Sequence, residues 1–343
     1  MRDFGLPPLP PQPVFDGHND LLAHLWGSGD RDGRSFFDGR EGAVDLARCR
    51  AGGFAGGLFA IWVPGGGGRR MRPLSPDAAR SATLAMAATL RRMAAADPSS
   101  FRLCLTVADI AQARADGAIA AVMHLEGAEA IGEGLDELEI LHAAGLRSLG
   151  PVWSRPNRFG HGVPFAHPAS PDIGPGLTDA GRALVAACHA MRILVDVSHL
   201  NEAGFWDVAA MEGGPLVATH SNVHALCPSA RNLTDRQLAA IAASGGLVGL
   251  NLAVQFLRPD GRRSRDTDLA LAVRHLAHLV ERLGEGGVAI GSDLDGAMMP
   301  AAIGTAAGLP ALVTAMRAAG FGDDLVDRIC WRNWQALLAR VIG

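Results

Sequence analysis

The chain has 343 residues, 48% of them hydrophobic, and a formal net charge of −4 at neutral pH. That balance, with no basic run longer than Arg69–Arg70 or Arg262–Arg263, argues against a nucleic-acid partner, and no window approaches the roughly 20 apolar residues of a membrane span. Five dispersed cysteines without C-x-x-C spacing read as reduced thiols rather than a disulfide framework, and the N-terminus lacks the apolar run of a signal peptide, so a cytoplasmic protein is expected.

In chain order, residues 1–13 read as a proline-rich arm, extended over 6–13. Short apolar or β-branched runs then alternate with longer stretches of helical period. The predicted strands are 14–16, 57–63, 118–125, 147–153, 193–197, 216–219, 246–252 and 288–291. Between them, 76–95 is free of internal Gly and Pro, 178–191 and 234–243 open on Thr-Asp pairs that suit an N-cap, 268–283 ends in a glycine stop, and 325–341 closes the chain. The glycine run 65–68 and the Pro- and Gly-rich stretch 154–176 read as long loops. Eight strands alternating with helices, several of them apolar on both faces, predict an α/β fold, a (β/α)8 TIM-type barrel. No linker divides it, so one domain over 1–343 is expected.

Catalytic side chains in such a barrel sit at the carboxyl ends of strands. Here the first strand runs out into His18 and Asp20, two apart and expected on one face. The third ends in Glu126, the fifth in His199, the sixth in His220 and the eighth in Asp293. His199 and His220, from adjacent strands, suit one borderline-soft cation; His18 with Asp20 suits a second, and Glu126 is placed to bridge them. Two cations about 3.5–4 Å apart share a hydroxide that is nucleophilic at neutral pH and polarise a carbonyl. Asp293 would carry the proton from that hydroxide to a leaving amine. The donor set, rich in His and carboxylate and free of thiolate, favours Zn2+.

With those positions in hand, DGHND at 16–20, LEGAEAI at 125–131 followed by Leu138, Gly145, Leu146 and Arg147, DVSH at 196–199, THSN at 219–222, ARN at 230–232 and GSDLDG at 291–296 together resemble the membrane (renal) dipeptidase family, the M19 metallopeptidases. The resemblance spans about residues 14–340. It implies an amidohydrolase-type barrel and a binuclear zinc enzyme that hydrolyses free dipeptides, tolerates a D-residue at the C-terminal position and is often a homodimer. It further implies Arg231 as the clamp on the substrate's terminal carboxylate, a task suited to a planar fork, with Asn232 beside it. Where animal members have a substrate-contacting histidine this chain has Trp153, as bacterial members often do, which leaves a metal ion and a loop histidine, His161, to stabilise the oxyanion.

Other polar residues read as structural. His124, one layer below Glu126, is expected as a buried hydrogen-bonded histidine. Asp196 is expected to face away from His199 and to bind loop backbone. Asp16 should anchor the first turn, and Trp331 and Trp334 should pack on the barrel. Asp295 could bind substrate or cap a loop. His24, His275 and His278 fall on helical stretches and read as surface or packing residues, and His224 as lying clear of substrate. Two alternatives share the ligand set: a related amidohydrolase acting on another small amide or a natural-product precursor, and a non-catalytic metal-binding scaffold.

Overall fold

The computed structural model describes residues 11–65, 72 and 74–343. The arm expected at 1–13 and the glycine run at 65–68 therefore lie mostly outside the described residues. Eight strands run parallel: β1 (Val14–Asn19), β2 (Phe54–Trp62), β4 (Ile119–Glu126), β5 (Leu146–Gly150), β6 (Leu194–Val195), β7 (Val217–Ser221), β8 (Leu247–Leu250) and β9 (Val288–Ile290). Their order is β6-β5-β4-β2-β1-β9-β8-β7. The two ends of that order meet through the parallel bridge of Asp196 with Val217, where the Val197 N–H donates to the Val217 carbonyl at 2.9 Å. The sheet is thus closed, as a (β/α)8 barrel requires.

Three expectations are corrected. A ninth strand, β3 (Phe101–Leu103), was missed; it pairs with the first half of β4 while β5 takes the second half. Three residues are too few to carry a period. The strand expected at 193–197 is regular only over Leu194–Val195, although its pairing runs on, the Asp196 N–H donating to the Leu149 carbonyl at 2.8 Å. The Asp196 carboxylate accepts the Ser198 N–H at 3.0 Å and the Thr219 N–H at 2.9 Å, which ends the ladder beyond it. The closing helix is also not continuous: Asp323–Asp327 passes through a π-turn at Arg328–Arg332 into Asn333–Val341. That widened turn accompanies the seating of both Trp331 and Trp334 on Phe15, each with ring centroids 6.0 Å away.

The helix starts follow the capping chemistry of the sequence. Ser75 and Thr178 each accept an N–H from the first turn of their helices, and Thr234 forms a reciprocal box with Gln237. Apolar side chains form two clusters. One lies between barrel and helices, with Phe59, Ile61, Val248 and Leu276 among its members. The other fills the barrel's floor, where Phe15, Leu58, Val122, Val217 and Leu247 meet Trp331 and Trp334. Trp334 donates its indole N–H to the Ile290 carbonyl at 2.9 Å. It presses so close to β1 that a Cβ on Gly17 would stand 2.4 Å from its ring and from the Thr219 carbonyl. No helix among the described residues is long and apolar enough to cross a membrane.

His275, on the helix Leu269–Leu283, ties this outer layer to the loops of the upper rim. Its Nδ1 accepts the Val223 N–H at 3.1 Å and its Nε2 donates to the Leu257 carbonyl at 3.1 Å, a pairing that only the neutral ring can make. Burial pushes its pKa down from 6.5 to about 4. Below pH 6.5 the unfolded chain takes up a proton that the folded chain refuses until about pH 4. Stability therefore falls across that window, by on the order of 3 kcal/mol for this group. Urea midpoints measured from pH 7.5 to 4 should show a steeper decline for the wild type than for His275→Gln; parallel profiles would remove His275 from the account.

Candidate active site

The upper end of the barrel gathers polar side chains from five strand ends. β1 and β7 both deliver a histidine through an irregularity. Pairing of β1 with β2 shifts register between Asp16 and Asn19, and pairing of β7 with β8 shifts between Ala218 and Ser221. Phe15 and Val217 belong to the barrel's inner floor, so strict alternation would turn His18 and His220 outward; the bulges re-aim them. Asp20 follows β1 directly at the start of helix α1 (Leu21–Ser28). Glu126 needs no such device, lying on the inner face of β4 in step with Val122 and His124.

The resulting cluster is tight. One oxygen of Glu126 lies 2.8 Å from His199 Nε2, 3.5 Å from His220 Nε2 and 3.7 Å from His18 Nε2. His18 Nε2 is 3.4 Å from Asp20, and its ring stacks on that of His220 at 3.8 Å. Two overlapping groups, His18–Glu126–His220 and His18–Asp20–Asp293, have donor atoms close enough to share a cation. All six side chains are largely removed from water. Burial drives Glu126 well above the usual carboxylate range, and it lifts Asp293 to about 6, with Asp20 adding to the rise. Burial opposes a charge on His18, but Glu126, Asp20 and Asp293 outweigh it and raise that imidazole to about 10. His199 and His220 are pushed well below the usual range by burial, and then by Arg231 and His18 respectively.

These residues fit metal ions on two independent grounds. Both ring nitrogens of His18 are buried without a hydrogen-bond partner, a costly state that a cation relieves at the nitrogen facing the carboxylates. The other two imidazoles are fixed from behind with Nε2 turned to the cluster. Ser154 Oγ lies 2.7 Å from His199 Nδ1. Thr219 Oγ1 lies 2.8 Å from His220 Nδ1 and donates its own proton to Asp196 at 2.7 Å. Holding Nδ1 leaves the Nε2 lone pair free for a ligand bond. His124 is the buried histidine expected: its Nδ1 lies 2.9 Å from Ser148 Oγ and its Nε2 3.7 Å from Asp196. Asp196 therefore points into the barrel rather than away from it, in step with Leu194 on the inner floor, because it is His199 and not Asp196 that lies beyond the paired strand. It also binds loop backbone, as expected.

Asp293 stands just beyond β9 in a left-handed backbone conformation, φ 63°. Its N–H donates to the His18 carbonyl at 3.0 Å, and its carboxylate accepts from Asn251 Nδ2 at 2.9 Å. Asn251 is in turn held by Asn222, whose Nδ2 donates to the Asn251 carbonyl at 2.9 Å. Asp16 anchors the same seam, accepting the Ser292 N–H and hydroxyl.

A cavity of about 770 Å³ opens above the cluster, and Arg231, Trp62, Trp153, Phe165, Phe256 and α1 are among its walls. Arg231 is buried, with its NH1 on the Ser198 carbonyl and Ser221 and its NH2 on the His220 carbonyl and 3.2 Å from His199 Nε2. Its Nε has no partner. Trp153 reaches the cavity, 5.9 Å from His199. Asn232 does not line it, because its amide is spent on the Cys227 and Phe256 carbonyls at 2.9 Å each. His161 also lies outside the lining, beside Gly174 and Asn201. Asp295 lines the cavity yet is committed to Arg40 and the Ala43 N–H, each at 2.6 Å. His24, read as a surface residue, is exposed but also lines the cavity. Trp62, Phe165, Ser154 and Asn251 were not singled out, and Thr219 only within THSN. Trp62, Thr219 and Asn251 all fall in the last two residues of predicted strands, where the strand-end rule looks, but carry no acid or imidazole.

Comparison with known proteins places these features in context. The model of the membrane dipeptidases, peptidase family M19, matches residues 9–342. A protein encoded in the pqqA 5′ region of Klebsiella pneumoniae is 50% identical over 255 residues, covering 74% of this chain and 94% of that one. A metallo peptidase from Rhodobacter sphaeroides, crystallised with a phosphinate mimic of the dipeptide L-Ala-D-Ala, is 50% identical with a TM-score of 0.92, covering 96% of this chain and 99% of that one. The M19 metallo peptidase described as dipeptidase AC is 52% identical with the same TM-score and coverage.

Proposed function

We propose, from the premise that this chain belongs to the membrane dipeptidase family, peptidase family M19, and is a metallo-dipeptidase, that it binds two zinc ions and cleaves free dipeptides, accepting a D-residue at the C-terminal position. The observation that carries this reading is the single Glu126 oxygen facing three imidazole nitrogens. A carboxylate so placed could serve two cations, which His18 with Asp20 and His199 with His220 would hold. When bound, the pair supplies Lewis acidity toward the scissile carbonyl and a water that is nucleophilic at neutral pH. The N- and O-donor set, without thiolate, supports zinc. The phosphinate complex of the Rhodobacter relative supports the D-residue.

The remaining work falls to this chain's side chains. Asp293, held by Asn251, takes the proton from the attacking water and hands it to the nitrogen of the breaking bond, so the amine leaves neutral. Arg231 clamps the terminal carboxylate. Its Nε is an unused donor, and its NH2 gives up the His199 nitrogen once that lone pair binds a cation. The Nε–NH2 edge is then free for a bidentate pair. Trp153 closes the same side and excludes water.

The clamp can be tested directly. Wild type loaded with zinc should hydrolyse free dipeptides, in L-L and L-D forms, in preference to their C-terminal amides. Arg231→Ala should raise KM for free dipeptides by about tenfold or more and change turnover of the amides little; Arg231→Lys, which keeps the charge but not the fork, should fall between. Equal losses on acids and amides would refute the clamp. Cleavage of N-acyl amino acids with no cleavage of any free dipeptide would replace the dipeptidase reading with that of a related amidohydrolase.

A further inference from the structure

The cavity above the cluster has two unlike walls. One is aromatic, with Trp153 against Phe165 at 5.4 Å and Phe165 against Phe256 at 5.6 Å. This wall lies on the side of Arg231 and His199: Trp153 and Phe165 are 5.9 and 6.5 Å from the His199 ring, and the Arg231 guanidinium is 5.9 Å from Phe256. The other wall is α1, with His24, Gly27 and Ser28 facing the cavity beyond Asp20.

Two details separate these walls from ordinary packing. Phe165 is 48% exposed, and of the large apolar side chains exposed among the described residues it alone lines the cavity; Leu84, Ile140 and Ile173 do not. A phenyl ring left half in water at a cavity mouth has apolar surface to offer a ligand. Gly27 sits in a helix with nothing within 4 Å of where its Cβ would be, so α1 leaves open volume at this point without any backbone need for glycine.

Because a dipeptide is short, these walls fix how its side chains are divided. One Cα separates its carboxylate from its scissile amide. With the carboxylate on Arg231 and the amide over Glu126, the C-terminal residue lies between them, and its side chain meets the rings packed on Arg231 and His199. The N-terminal residue extends the other way, with its ammonium toward Asp20 and Asp293 and its side chain toward α1. We propose that Phe165, with Trp153 and Phe256, forms the pocket for the C-terminal side chain and selects apolar ones, and that Gly27 makes room for the N-terminal side chain. The assignment rests on the dipeptidase reading and on Arg231 as the clamp.

The test compares kcat/KM for Ala-Ala, Ala-Phe and Phe-Ala, with the C-terminal residue in both configurations, in zinc-loaded wild type, Phe165→Ala and Gly27→Leu. Phe165→Ala should lower the Ala-Phe to Ala-Ala ratio about tenfold while the Phe-Ala to Ala-Ala ratio moves less than about twofold. Gly27→Leu should do the reverse. Phe165→Leu, apolar but smaller, should recover part of the lost ratio, which separates selectivity from loop collapse. The assignment is overturned if Phe165→Ala acts on Phe-Ala instead, or if either variant shifts all three substrates together. Failure of wild type on all three, with zinc bound, overturns the dipeptidase reading itself and the pocket assignment with it.

Discussion

Asp293→Asn is expected to keep its metal and lose kcat by about 10²–10⁴-fold, the usual worth of a positioned acid–base group. The substitution is chosen for its silence elsewhere. Asn is nearly isosteric and tolerates the left-handed backbone at this position, φ 63°. Its amide oxygen can still accept from Asn251, as the carboxylate does at 2.9 Å, and the N–H bond to the His18 carbonyl is untouched. What disappears is the capacity to take a proton from water and deliver it to the departing nitrogen. KM should rise only modestly, because Arg231, the cavity walls and Asp20 still hold the substrate when one of the two carboxylates near its ammonium loses its charge. Metal analysis alongside steady-state kinetics decides the matter. Retained metal with retained kcat would relieve Asp293 of the role, and lost metal would make it a ligand instead.

Glu126→Gln should have the other large effect, through a different route. If this carboxylate serves two cations, as proposed, the oxygen within reach of three imidazoles would lose its charge and leave them to repel each other across a neutral amide. We expect metal content to fall by at least one ion per chain relative to wild type, and activity to fall below about a thousandth of wild type. Folding should not suffer. In the metal-free protein burial drives this carboxyl well above its usual range, so the amide removes a desolvation cost that offsets the counter-charge lost by His18. Metal-free Glu126→Gln should therefore unfold at the same urea concentration as metal-free wild type, or higher. A variant that binds two zinc ions per chain would refute the bridge, and one that unfolds early would show that lost activity came from lost structure.

The sequence was most legible where side chains obeyed strand periodicity. Glu126 and His124 lie on one face of β4, as a period of two demands, and the count of strand ends carrying acids and imidazoles pointed to the barrel mouth. It was least legible where the backbone departs from that period. Strict alternation from Phe15 or Val217 would turn His18 and His220 outward, and only the register shifts in β1 and β7 bring them in. Nothing in a residue string announces a bulge of that kind. Asp196 was assigned the wrong face for a related reason: it keeps the period of Leu194, but the chain turns before His199, so counting back three from that histidine misleads. The hydroxyls that hold the imidazoles, Ser154 and Thr219, and the amide that holds Asp293, Asn251, belong to residue types common in any loop or strand end. Phe165 sits in a Pro- and Gly-rich stretch with no periodicity to read. Arg231, eleven residues past His220 and away from any strand end, was legible only through family resemblance.

The seating of Trp334 beneath β1 has a consequence for the order in which the protein can be made. The strand that bears His18 is the first of the barrel to be synthesised, and the indole that supports it, pressed against Gly17 and bonded to Ile290, belongs to a helix that follows every strand of the barrel. β1 also joins β9 across the seam where the beginning of the chain meets its end. A nascent chain therefore carries His18 and Asp20 through synthesis of the rest of the barrel without a floor beneath them, the other histidines and carboxylates joining in turn. Assembly of the cluster is therefore expected as a closing event, coupled to docking of the helix that bears Trp334 rather than to the emergence of the cluster's residues themselves.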